Sequence, residues 1–149
     1  MNVSFRNVEL DPTSPVATWP YEAVVTVIER GTIGDWLVLT LEMDRDPWGP
    51  VARQIEEYLS YSRPYGVAPL LERAVIRARR QAEASERAEV AATVAGLVTR
   101  SGLSMGELAE HIGTSRTRLS TYRSGKVVPS AALLVRLRGV VSQIAGSEG

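Results

Sequence analysis

Between Leu103 and Lys126 the chain reads LSMGELAEHIGTSRTRLSTYRSGK, and its polar residues mark two successive helix starts. Ser104 stands three residues before Glu107, the spacing of a capping box, in which each side chain satisfies a backbone N–H left open by the helix start. Leu108 and Ile112 share one face of the short helix that follows. Ala109 sits where a second helix has to pass close. Gly113 can take the positive φ of a tight turn. Ser115 caps a second helix, predicted over 116–123, whose Leu119 and Tyr122 face inward. Its other face, made of Arg116, Thr117, Ser120 and Thr121, is charged, short and hydrogen-bonding. Gly125 suits a left-handed helix end, and Lys126 projects beyond it. Pro129 and Ser130 open a last helix whose Leu133, Leu134, Leu137 and Val140 close a core.

The charge distribution bears on what this helix pair can meet. The chain has 17 basic and 17 acidic residues, for a formal net charge of zero. Residues 1–65 carry ten acids against five arginines, and residues 66–149 carry the opposite imbalance of +5. From Gly113 to Arg138 there are six bases (Arg116, Arg118, Arg123, Lys126, Arg136 and Arg138) and no acid. On charge alone, this is either a solvated basic face or a surface for a polyanion, of which nucleic acid is the natural candidate. The major groove, about 12 Å wide, displays donors and acceptors that Arg, Ser and Thr can pair. A helix N-terminus adds backbone N–H groups aimed at a phosphate.

Composition closes several other routes. With no cysteine there is no disulfide, thiolate metal site or cysteine nucleophile. His111, the single histidine, leaves no histidine cluster for zinc, and it reads as a surface residue. No apolar run approaches the roughly 20 residues of a membrane span. The start of the chain lacks the basic flank and apolar core of a secretory signal, so a cytoplasmic protein is expected. The neighbouring acids Glu56-Glu57 and Asp44/Asp46 read as a helix face and a cap rather than catalytic pairs. Trp19, Trp36 and Trp48 read as packing residues. Neither an enzyme nor a cofactor is expected.

Upstream, residues 1–19 read as an irregular arm. Residues 21–30 read as a helix on the spacing of Tyr21, Val24, Val25 and Ile28, started by Pro20 and stopped by Gly31. The alternation in WLVLTLEM keeps a hairpin over 21–43 as the alternative. Thr32 and Asp35 resemble a capping box, with Ile33, Trp36, Leu37, Thr40 and Leu41 on one face of the helix after it. Asp46 as N-cap and Pro47 as first residue would open the next helix, buried through Val51, Ile55, Tyr58 and Leu59. A long helix follows the loop at 62–66, from about Val67 to Arg100. Its early stripe is Leu70, Leu71, Ala74, Val75 and Ala78, and its later stripe is Ala88, Ala91, Ala92, Ala95 and Leu97. The middle is polar on all sides, as in a helix bridging two bodies, and Ser85 marks a potential break.

From Glu89 to just beyond Val141 the chain resembles the DNA-binding domain of the Xre/Cro–cI repressor superfamily. The residues that carry the resemblance are Gly102-Leu103-Ser104, Glu107-Leu108-Ala109, Ile112-Gly113, Ser115-Arg116, Leu119-Ser120, Ser124-Gly125-Lys126 and Pro129-Ser130. It implies a five-helix, lambda-repressor-like helix-turn-helix fold, with 104–112 as the positioning helix and 115–123 as the recognition helix. It places Arg116, Thr117, Ser120 and Thr121 on base-reading positions. It places Ser124 and Lys126 on the phosphate-clamping turn, and Ser104, Ser115, Arg118 and Arg123 are expected to meet phosphates beside them. There are two departures from the pattern. Met105 stands where the family often has Gln, and Arg123 and Val98 replace an internal acid–Arg pair. The N-terminal half is similar to a small-protein family of actinobacterial type, through WPYEA, RGT, DW, DPWGPVARQIE and PYGVAPLLERA. That likeness implies an antitoxin and autorepressor encoded beside a nucleotidyltransferase-like toxin.

The expectation is therefore an all-α protein in three parts: an acidic helical module over 1–65, a helical connection over 66–88 and a helix-turn-helix domain over 89–145. It is expected to bind a pseudo-palindromic operator in double-stranded DNA as a homodimer and repress transcription. The alternative is an antitoxin whose N-terminal half binds a toxin and whose helix-turn-helix autoregulates its operon.

Overall fold

A computed structural model describes residues 13–147. After a short 3-10 turn at Val16–Thr18, seven α-helices follow in order: α1 (Tyr21–Arg30), α2 (Ile33–Arg45), α3 (Pro50–Tyr61), α4 (Val67–Ser101), α5 (Met105–Ile112), α6 (Arg116–Ser124) and α7 (Ala131–Ser147). No strand occurs among the described residues, so the hairpin alternative over 21–43 does not hold and the protein is all-α. No helix among them is long and apolar enough to cross a membrane. The chain divides into two compact units, the first through residue 82 and the second from residue 83.

In the first unit, α1 to α3 and the start of α4 bury one apolar core around Val24, Ile28, Leu39, Met43, Ile55 and Leu71. Residues 67–78, part of the expected connection, contribute Val67, Ala68, Leu71, Ala74, Val75 and Ala78 to it. Trp19 is buried, and its Nε1 donates to the Ser14 carbonyl at 3.1 Å. α1 stops at Gly31, where the backbone turns extended at ψ 169° after the last helical bond. The Gly31 N–H donates to the Val27 carbonyl at 2.9 Å, and a Cβ at Gly31 would come within 2.4 Å of that oxygen. Asp35 supplies its half of the expected box, accepting from the Thr32 backbone N–H at 2.9 Å.

Three sequence expectations need correction here. The face of α2 turned inward is Asp35, Leu39, Thr40 and Met43, with Trp36 half-buried, while Ile33, Leu37 and Leu41 are exposed by 65%, 51% and 67%. Both stripes have helical spacing, and a tertiary bond accompanies the one that is buried: Trp36 Nε1 donates to the Val27 carbonyl at 3.0 Å. Second, α3 begins at Pro50 with Gly49 as N-cap, and Asp46 closes α2 instead. A start at Asp46-Pro47 would put Pro50 where its N–H must bond back to the Asp46 carbonyl, and proline has none. Third, α4 runs through Ser85 without a break. Residues 82–89 hold mainly Ala, Glu and Arg, and one serine costs such a helix little.

The second unit buries Val94, Leu97 and Val98 of α4 against Leu108, Ala109 and Ile112 of α5, Leu119 of α6, and Leu137 and Val141 of α7. Larger side chains, rather than the alanines at 88, 91, 92 and 95, thus form the later stripe of α4. Ala88 and Ala92 are exposed. Among the described residues this unit contains four helical pieces, the end of α4 and α5 to α7, where the resemblance implies five.

Candidate nucleic-acid interface

The α5–turn–α6 segment is held by bonds that its own residues supply. The Ser104 hydroxyl accepts from the Glu107 N–H at 3.2 Å and donates to Glu107 Oε1 at 2.8 Å. At the other end of α5, Gly113 adopts φ +73°, a conformation open to glycine at no steric cost. The Thr114 N–H reaches back to the Ala109 carbonyl at 3.0 Å, the long bond of a Schellman ending. The Ser115 hydroxyl accepts from the Arg118 N–H at 3.1 Å and starts α6. Ser115→Ala is expected to destabilise the second unit by about 1 kcal/mol in urea denaturation, the usual cost of a lost cap.

Leu119 anchors α6. It is fully buried and is the only buried residue of this helix, with Tyr122 half-buried beside it. Side chains on a helix advance by 3.6 residues per turn, so Thr117, Ser120, Thr121 and Ser124 fall on the side away from Leu119. Arg116, Thr117, Arg118, Ser120, Arg123 and Ser124 are exposed, whereas Thr121 is half-buried. The Thr121 hydroxyl donates to the Arg118 carbonyl at 2.6 Å, so its proton is used within the helix and its oxygen can still accept. Ser124 closes the helix by donating to the Thr121 carbonyl at 3.1 Å. Gly125 follows at φ +83°, close enough to Ala91 that a Cβ would lie 3.3 Å from the alanine Cβ. Lys126 is exposed beyond it, as is Ser104 at the start of α5.

The electrostatics follow from what is missing opposite these cations. The three ion pairs among the described residues all lie in the first unit. Arg116, Arg118, Arg123 and Lys126 have no carboxylate partner there, and α6 contains no acid. Such a face repels itself in isolation and gains when a polyanion approaches. Arg136 differs from the rest of the basic stretch. It donates from Nη1 to the Ile112 carbonyl at 2.8 Å, satisfying the negative end of α5. Charge counting placed it with the open cations, and no local sequence signal marks a contact spanning 24 residues. His111 is exposed, as expected.

Two other features fit no chemical site. Trp48 is half exposed rather than in the core, and the Arg79 guanidinium lies 4.6 Å from its ring centre, a cation–π contact. No cluster of three or more His, Asp or Glu that fits a metal occurs among the described residues. No family model, curated protein or solved structure matches the chain.

Proposed function

We propose that this protein binds double-stranded DNA sequence-specifically and represses transcription, with α6 lying in the major groove. One observation carries the reading: a helix anchored by Leu119 presents Arg116, Thr117 and Ser120 to solvent with no acid on the helix and no partner for its arginines among the described residues. These are the side chains that pair base edges, and the start of the same helix adds N–H donors for a phosphate. Arg118, Arg123, Ser124, Lys126, Ser104 and Ser115 flank this face as phosphate contacts. Sequence selection from a random DNA pool, followed by a salt titration on the recovered site, tests it. With about 4–7 phosphate contacts per protomer, log affinity should fall linearly with log salt at a slope of about −4 to −6 for each protomer bound. A pool that yields no preferred sequence would remove the specific reading.

The first unit favours a second role alongside this one. Its exposed Ile33, Leu37 and Leu41 lie along one side of α2, an apolar strip of the kind used in protein contacts. Either a second copy or a toxin encoded nearby fits there. Co-expression of the full chain with the product of the adjacent gene separates these roles. A stable hetero-complex lost in Leu37→Asp supports the antitoxin; a homodimer lost in the same variant supports a dimeric repressor.

A further inference from the structure

α4 carries another basic surface, which the reading above leaves unused. Arg73, Arg77 and Arg80 recur at helical spacing on one side of α4 within the first unit, and all three are exposed. A shallow depression along the helix is lined by these three with Ile76 and Gln81, and by no carboxylate. At 1.5 Å per residue the three guanidinium groups are spread over about 10 Å of helix.

Two acids of this unit are taken by other arginines, and Glu83, one turn beyond Arg80, makes no ion pair among the described residues. Glu56 is paired with Arg79, and Glu72 is paired with Arg63. Arg79 also donates from Nε to the Pro47 carbonyl at 3.0 Å and lies over Trp48, so it belongs to the packing of this unit. Arg73, Arg77 and Arg80 make no ion pair among the described residues. Three long cations in a row, unneutralised and regularly spaced, match a regular polyanion. B-form DNA presents one negative charge per roughly 1.7 Å of axis. A protein partner is favoured less, because protein interfaces gather around buried apolar anchors, and here Ile76 is the single apolar residue, 46% exposed.

We propose that the Arg73–Arg77–Arg80 face binds the phosphate backbone of duplex DNA without regard to base sequence. This goes beyond the reading of α6 and does not depend on it. The test measures affinity of the full chain for a random-sequence duplex by fluorescence anisotropy over a range of salt. The chains compared are the parent, Arg73→Gln/Arg77→Gln/Arg80→Gln, the corresponding triple Lys variant, and Arg116→Ala/Arg118→Ala. The Gln variant should lose about 2–3 from the slope of log affinity against log salt, at about 0.9 per phosphate contact, and at least about tenfold in affinity near 0.1 M salt. The Lys variant should keep the parental slope. An unchanged slope in the Gln variant overturns the proposal, as does a Lys variant that loses as much as the Gln variant. Loss of binding to poly-L-glutamate with duplex binding intact also overturns it, and assigns the face to an acidic protein. The α6 variant keeps the two claims apart: a loss confined to it sinks the α4 proposal alone, and a loss confined to the Gln variant leaves α6 without support in DNA binding.

Discussion

Leu119→Ala is expected to destabilise the second unit by about 2–5 kcal/mol, the range for truncating a fully buried leucine. The residue has no exposed surface and is the one buried side chain of α6. The core around it is small, with nine buried residues supplied by four helices, so little can move in to fill the space. Far-UV circular dichroism in urea reads the loss as a lower midpoint with an unchanged slope. Tryptophan fluorescence does not report on this unit, because Trp19, Trp36 and Trp48 all precede residue 83. Val135→Ala is the control. Its side chain is 69% exposed, and a surface change of this kind stays within about 0.5 kcal/mol. A cost below about 1 kcal/mol at Leu119 would mean that α6 is not held by the core in the manner described.

The second large effect is on recognition. Arg116→Ala should weaken binding to the selected DNA site by about 1–3 kcal/mol, roughly fivefold to 150-fold, and relax preference at one base position. Arg118→Ala should instead weaken binding evenly across sequences and reduce the salt slope by about 1, as expected for a phosphate contact. Repeating sequence selection with each variant separates the two outcomes. An Arg116→Ala protein with undiminished base preference would take Arg116 out of the reading set. Ser120→Ala is a milder probe, because its hydroxyl offers one donor where Arg116 offers a fork of several.

How far the chain could be read without coordinates differs between its halves, for physical reasons. The α5–α6 segment is legible because its bonds are local. Ser104 with Glu107, Gly113, Ser115 and Gly125 each act within a few residues, and each does in the structure what its type and spacing imply. The orientation of α2 is legible only in part: Trp36 and Thr40 of the expected face turn inward, whereas Ile33, Leu37 and Leu41 do not. Ile33, Leu37 and Leu41 are as periodic as Leu39, Thr40 and Met43, and the side that is buried carries a long-range bond from Trp36 to the Val27 carbonyl. Asp46-Pro47 is a good helix opening taken alone; Pro50, three residues beyond Pro47, rules it out. Arg136 shows the same limit within the candidate interface. Its charge was countable, but the Ile112 carbonyl that engages it depends on how α7 meets α5. Spacing puts Thr121 on the outer face, yet its hydroxyl bonds to the Arg118 carbonyl of its own helix, a habit of Thr that spacing does not reveal.

The absence of cysteine makes the most direct test of the α6 placement simple, since Val127→Cys would carry the only thiol in the chain. Val127 is 46% exposed just past the end of α6 and outside the base-reading face, so a cleavage reagent such as iron–EDTA attached there leaves both the core and that face intact. With the labelled protein bound to its selected duplex, strand cleavage should fall on both strands within the site, beside the base pairs whose preference Arg116→Ala relaxes. Cleavage scattered evenly along the duplex, or absent from the site while the protein remains bound, would contradict a recognition helix at Ser115–Ser124.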